Sequence, residues 1–149
     1  MNWTKDKSVK LSLVCVWIFA VLLLITDIFV PKIASELLGC FVSFFNMKTL
    51  FIFLLYLGSV FGWICLWNLR ALLKNLQNGE VFTADNIAIM RRVSWCCAWA
   101  AIVSLALSLY SLIFFVLAVA SAFMMVVVRV VKNAFQQAME MKSELDLTI

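Results

Sequence analysis

From Val93 to Val128 the chain runs for 36 residues without one charged side chain. Crossing the hydrocarbon of a bilayer takes about 20 residues of helix. The stretch is therefore too long for one ordinary span and suits two. We place the turn at Ser108-Leu109-Tyr110-Ser111, which gives spans near residues 92–107 and 112–129, although neither Gly nor Pro marks it. One long tilted helix is the alternative, and it would put its two ends on opposite sides. A soluble fold of 149 residues, 66% of them hydrophobic, has too much surface for its volume to hide such material. Lipid must be part of its solvent. Four Gly and one Pro also exclude a loop-rich or disordered chain.

Two further spans precede these. Leu11 to Val30 is apolar apart from Asp27; it follows Lys5, Lys7 and Lys10 and is closed by Pro31. A signal peptide also begins with a basic region. This run is too long for one, and Asp27-Ile28-Phe29 stands where small residues would mark a cleavage site. The second span covers about 49–67. Between the two, Ile33, Leu37, Phe41 and Phe44 recur at helical spacing opposite Glu36, Cys40 and Ser43, the pattern of a short helix half sunk in the headgroups.

The charges orient the spans. Lys5, Lys7, Lys10, Arg70, Lys74, Arg91, Arg92, Arg129, Lys132 and Lys142 fall on the side of the N-terminus, whereas Lys32 and Lys48 fall on the other. The positive-inside rule then puts both termini in the cytoplasm, with an inner cell membrane as the location. Trp63, Trp67, Trp95 and Trp99 lie near the cytoplasmic ends of spans two and three, as an aromatic belt would. The expected fold is thus all-α: a four-helix transmembrane bundle with cytoplasmic helical extensions. It forms a single membrane domain over 1–149, with a cytoplasmic loop over 70–91 and a cytoplasmic helix and tail over 131–149. The net charge of +4 is accounted for by this topology. With no soluble basic domain, direct binding of nucleic acid is not expected.

Both extensions are amphipathic. Leu69, Leu72, Leu73 and Leu76 continue span two at helical spacing, and Gly79 stands where a left-handed cap is wanted. Thr83 fits the N-cap of the next helix, with Asp85 in its first turn. After span four, Ala134, Phe135, Ala138, Met141 and Leu145 form one stripe, opposed by Asn133, Gln137, Glu140 and Glu144. Phe135 has no lipid to face there and needs a protein partner, either the Leu69–Leu76 segment, a second copy or another protein.

Few residues invite a chemical role. Five Cys without a CxxC spacing suggest neither a disulfide framework nor a zinc site, and buried Cys as a small hydrophobe is the simpler reading. No His occurs, nor a phosphate-binding Gly loop, a GxSxG or an HExxH, so no enzymatic activity, metal or cofactor is expected. Glu140, Glu144 and Asp146 read as a solvated helix end. Gly58 and Gly62 form a GxxxG, whose small residues let helices approach closely. It serves either packing within the chain or self-association into a homo-oligomer. Asp27 is the one acid inside a span. Its carboxylate either reaches water near the outer surface, one turn from Pro31, or serves a proton, ion or ligand.

Two stretches carry a family resemblance. One is Asn78-Gly79-Glu80-Val81-Phe82-Thr83-Ala84-Asp85-Asn86, followed by Met90-Arg91-Arg92. The other is the terminus Glu144-Leu145-Asp146-Leu147-Thr148-Ile149. Together they resemble the bacterial membrane family called domain of unknown function 2975. Its members look like four-span proteins with a G-x-x-F-T-x-x-N loop before span three and an acidic-D-L-T-I tail. Such proteins are often encoded beside a very small helix-turn-helix DNA-binding protein. The resemblance therefore implies a membrane component that holds or controls a regulator. Gly79, Phe82, Thr83 and Asn86 in the loop, with Asp146, Leu147, Thr148 and Ile149 in an extended tail, would dock that cytoplasmic partner. The tail would do so by adding a strand or by meeting a basic surface. Alternatively, the tail touches nothing or packs back on the loop. Two other functions stay open, an oligomeric channel or transporter subunit and an envelope stress factor acting on lipid.

Overall fold

The structure, a computed structural model, describes residues 3–38, 45–79 and 81–148. They form four helices, α1 (Trp3–Leu38), α2 (Phe45–Gln77), α3 (Ala84–Leu107) and α4 (Leu112–Leu147), and no strand occurs among the described residues. All four are long and apolar enough to cross a membrane. Of the expected surface helix, Cys40, Phe41 and Phe44 lie outside the described residues, as do Ile149 and the side chains of Leu37 and Asp146.

The helices alternate in direction and pack in chain order. Going up α2 goes down α1: Ser59 meets Asp27, and Gly62 faces Leu23. In the same sense Gly58 faces Val103 of α3, and Phe61 stacks on Trp99 with ring centroids 6.0 Å apart. Ser94 of α3 reaches the Met125 carbonyl of α4 at 3.4 Å. By backbone approach α1 packs on α2 alone, so the bundle is open along one edge. Helix α3, flanked by α2 and α4, is the most buried of the four. Most apolar side chains of α1 and α4 stay exposed and most of those of α2 are only half-buried, which a membrane protein tolerates because lipid covers them.

One end of the array, the turn end, carries the α3–α4 connection at residues 108–111. Without Gly or Pro, the chain leaves α3 through successive backbone bonds: Ser108 N–H to Ser104 O at 2.9 Å and Tyr110 N–H to Leu107 O at 3.0 Å. Aromatic packing fixes the turn. Phe51 of α2, 1% exposed, meets Tyr110 and Phe114 edge-on at centroid distances of 5.2 and 5.8 Å. Ala34, Val103 and Leu107 complete this small core. At the opposite, terminal end lie Trp3, Leu147 and the α2–α3 loop.

Two expectations are corrected. Pro31 does not end the first helix; it lies inside α1, which continues to Leu38. A proline removes the N–H that would bond the carbonyl four residues back, here that of Asp27. In an apolar medium the freed carbonyl needs another donor, and the Tyr56 hydroxyl of α2 approaches it at 3.4 Å. The tail is also not extended. α4 continues to Leu147, and Thr148 holds helical dihedrals, its N–H bonded to Leu145 O at 3.2 Å and its hydroxyl to Glu144 O at 2.5 Å. No helix breaker lies between Arg129 and Thr148, so the backbone ladder simply runs on.

Candidate functional site

Asp27 is the centre of a polar cluster on the α1–α2 seam. Ser59 donates its hydroxyl to Oδ1, Trp63 donates its indole N–H to Oδ2 at 3.0 Å, and Tyr56 turns to the backbone carbonyl of the same residue. Tyr56, Ser59 and Trp63 are spaced i, i+3 and i+7, so one face of α2 presents all three. Ser59 stands eleven residues from Lys48 and eleven from Arg70, the charges that bound the apolar part of α2, or about 16 Å of helix each way. On α1 the nearest charge is Lys32, about 8 Å along the helix. The carboxylate is thus turned onto α2, between the charges that bound the apolar stretches of both helices. Its partners escape sequence reasoning because the α1–α2 register is set only by packing. A Tyr-x-x-Ser-x-x-x-Trp face is the signal that could have found them.

A second polar cluster organises the α2–α3 loop. Gly79 has a φ of 85°, the left-handed conformation that closes α2, and its N–H bonds Leu76 O at 3.2 Å. Thr83 is the N-cap of α3 and its hydroxyl accepts the Asn86 N–H at 3.3 Å. Asn86 is fully buried. Its amide donates to Val81 O at 3.0 Å and its Oδ1 accepts from Asn75 of α2 at 2.8 Å. Phe82 packs on Phe135 of α4, centroids 5.4 Å apart, and stays 46% exposed. This loop is a brace in which one residue after another ties α2, α3 and α4 together. Within the chain Phe135 meets Phe82, six residues beyond the Leu69–Leu76 segment that was one candidate to cover it.

Beyond Phe135 the last helix stands alone. The residues from Glu140 to Leu145 are all exposed, as are Leu147 and Thr148. Twelve residues separate Phe135 from Leu147, about 18 Å of helix. Of the tail, the described side chains Leu147 and Thr148 are exposed and do not pack on the Gly79–Thr83 loop.

The two glycines of the GxxxG face different neighbours inside the chain. A Cβ on Gly58 would meet Val103 at 3.5 Å, and one on Gly62 would meet the end of Leu23 at 3.2 Å. Helix α2 thereby uses one small residue against α3 and the other against α1. Nearby, Cys65 of α2 and Cys96 and Cys97 of α3 line a cavity of about 310 Å³ beside both glycines. Among the described residues, no three His, Cys, Asp or Glu side chains gather as a metal ion would require.

Only lipid can cover this much exposed apolar surface on four antiparallel helices, and the chain is a multi-pass helical membrane protein. A family model described as "Protein of unknown function (DUF2975)" matches residues 6–149, and the chain belongs to that family. This is the family that its loop and tail motifs resemble. No curated protein and no solved structure matches it.

Proposed function

We propose that this protein is a membrane-anchored docking component that holds a small cytoplasmic partner and performs no chemistry itself. The observation that carries the reading is the free end of α4. It projects about three turns past the braced loop with Met141, Leu145 and Leu147 exposed. A lone helix with an apolar face seeks a groove or a second helix. Glu140, Glu144 and Asp146 make that end acidic, which suits a basic partner. The family resemblance points to the same class, a very small helix-turn-helix regulator, and the charge bias of the chain places this end in the cytoplasm.

The loop contributes by shape. Asn86, Thr83 and Gly79 hold it in form, so the side chains free to touch a partner are Phe82 and those of the α4 end. The test is a photo-crosslinker at Phe82 or Leu147 in native membranes, with captured proteins identified by mass spectrometry. Capture of a small basic DNA-binding protein from both positions, with capture at Phe82 lost on removal of residues 146–149, is the expected result. Capture of this protein alone would overturn the reading and make the motifs internal braces or dimer contacts.

A second reading takes its support from Asp27, an acid within the apolar zone. It is an ion- or proton-conducting subunit of an oligomer. Ion flux in proteoliposomes that disappears in Asp27→Asn would establish it, and an absence of flux in the unmodified protein would dismiss it.

A further inference from the structure

Toward the terminal end, α1 and α2 enclose a groove of about 140 Å³ with an apolar floor of Val16, Ala20 and Leu66. Its walls are the indoles of Trp17, Trp63 and Trp67, and Arg70 closes it at one end. The Arg70 guanidinium lies 5.5 Å from the centre of the Trp17 ring, a cation–π distance. Trp63 spends its single polar hydrogen on Asp27, so its ring body, with no N–H left to satisfy, is what lines the groove.

The cation is not alone. Lys74 stands one helical turn beyond Arg70 on α2, and Lys10 stands two turns before Trp17 on α1. The antiparallel register that pairs Trp17 with Arg70 brings Lys10 and Lys74 to the same end of the seam, about one helical turn apart in level. Arg70 makes no ion pair with a described carboxylate, and the Asp27 carboxylate is turned to Trp63 and Ser59, about 10 and 16 Å from Arg70 along α2. An apolar slot, a rim of indoles and a group of cations at the boundary of the apolar zone match the parts of one ligand in order: acyl chain, glycerol ester region and phosphate.

We propose that this groove is a binding site for one anionic glycerophospholipid, with its phosphate on Arg70 and an acyl chain over Val16, Ala20 and Leu66. Lys74 and Lys10 supply the surrounding positive field, and Arg70 supplies the planar fork that a phosphate accepts. Asp27 acts as a positioning residue through Trp63. The site is independent of the α4 end, so docking of a protein partner can fail without affecting it.

The test uses the full-length protein reconstituted with equal amounts of phosphatidylglycerol and phosphatidylcholine, with retained lipid counted by native mass spectrometry. Phosphatidylglycerol is expected to be enriched about fivefold, the order of one basic residue at a membrane surface. Arg70→Gln removes the enrichment, whereas Arg129→Gln on α4 keeps it. Arg70→Lys, which keeps charge but loses the planar fork, retains part of it. Circular dichroism and thermal unfolding verify that each variant is folded. Equal retention of both lipids, or unchanged enrichment in a folded Arg70→Gln, would overturn the proposal. So would release of the lipid by millimolar inorganic phosphate, which would reveal a soluble-anion site.

Discussion

Trp63 donates its indole N–H to Oδ2 of Asp27 across the α1–α2 seam at 3.0 Å, while Ser59 holds the other carboxylate oxygen. Because α1 packs by backbone approach on α2 alone, this is the principal polar link between α1 and the other helices among the described residues. Hydrogen bonds between membrane helices contribute about 0.6 kcal/mol on average and up to about 1.7. Asp27→Ala should therefore destabilise the protein by about 1–2 kcal/mol, seen as a lower midpoint of thermal unfolding in detergent. Asp27→Asn, which keeps an acceptor oxygen, should cost less. An Asp27→Ala variant as stable as the parent would show that the lock contributes nothing.

Asn86 is the most constrained side chain of the loop. It is fully buried and bonded to Val81 and Asn75. Asn86→Leu keeps the branched outline and number of heavy atoms with somewhat bulkier ends, but leaves the Asn75 amide and the Val81 carbonyl without these partners, a cost of about 1–3 kcal/mol for each group left unsatisfied. Limited proteolysis at the α2–α3 loop should accelerate accordingly, while insertion in the membrane is retained.

Gly79 answers to backbone geometry. A Cβ there would meet nothing within 4 Å, so space is not the obstacle; the φ of 85° is. Gly79→Ala should cost about 1 kcal/mol, and Gly79→Asn less, because Asn tolerates the left-handed region. Equal stability of the three proteins would mean that the loop changes conformation when substituted.

Phe82 and Phe135 form the contact between the loop and α4. A double-mutant cycle with alanine at both positions should return a coupling of about 0.5–1.5 kcal/mol. Zero coupling in unfolding experiments would place the two rings apart in the membrane-embedded protein.

The two glycines of α2 should differ on substitution. Gly58→Ala adds a methyl at ordinary contact distance from Val103 and should be close to neutral. Gly62→Ala crowds the end of Leu23, a flexible side chain, and should cost under about 1 kcal/mol. Gly62→Leu should separate α1 from α2, read as loss of crosslinking between single cysteines placed at Ala20 and Leu66, which line one groove between the two helices. If the pair served self-association instead, Gly58→Leu would shift the oligomeric state and leave that crosslink intact.

The four apolar helices were legible because their lengths are written in runs between charges, such as Lys10 to Lys32 and Arg92 to Arg129. The caps at Gly79 and Thr83 were legible because they are local: a left-handed glycine and a hydroxyl three residues before an N–H need no distant partner. Pro31 misled for the same reason. Read locally, a proline ends a helix, but in the folded chain the carbonyl it frees faces the Tyr56 hydroxyl 29 residues away in sequence. The tail misled in the opposite sense, since its backbone continues the helix where its short motif suggested extension.

The sequence by itself determined how many apolar helices form and which loop residues cap them, because these depend on bonds and hydropathy within a few residues. Only the tertiary structure decided that Asp27 meets Ser59 and Trp63, that Phe82 covers Phe135, and that Gly58 and Gly62 serve two different neighbours. Each depends on the rotation and register of one helix against another. Many registers would bury similar apolar surface, and side-chain packing with a few polar bonds selects among them.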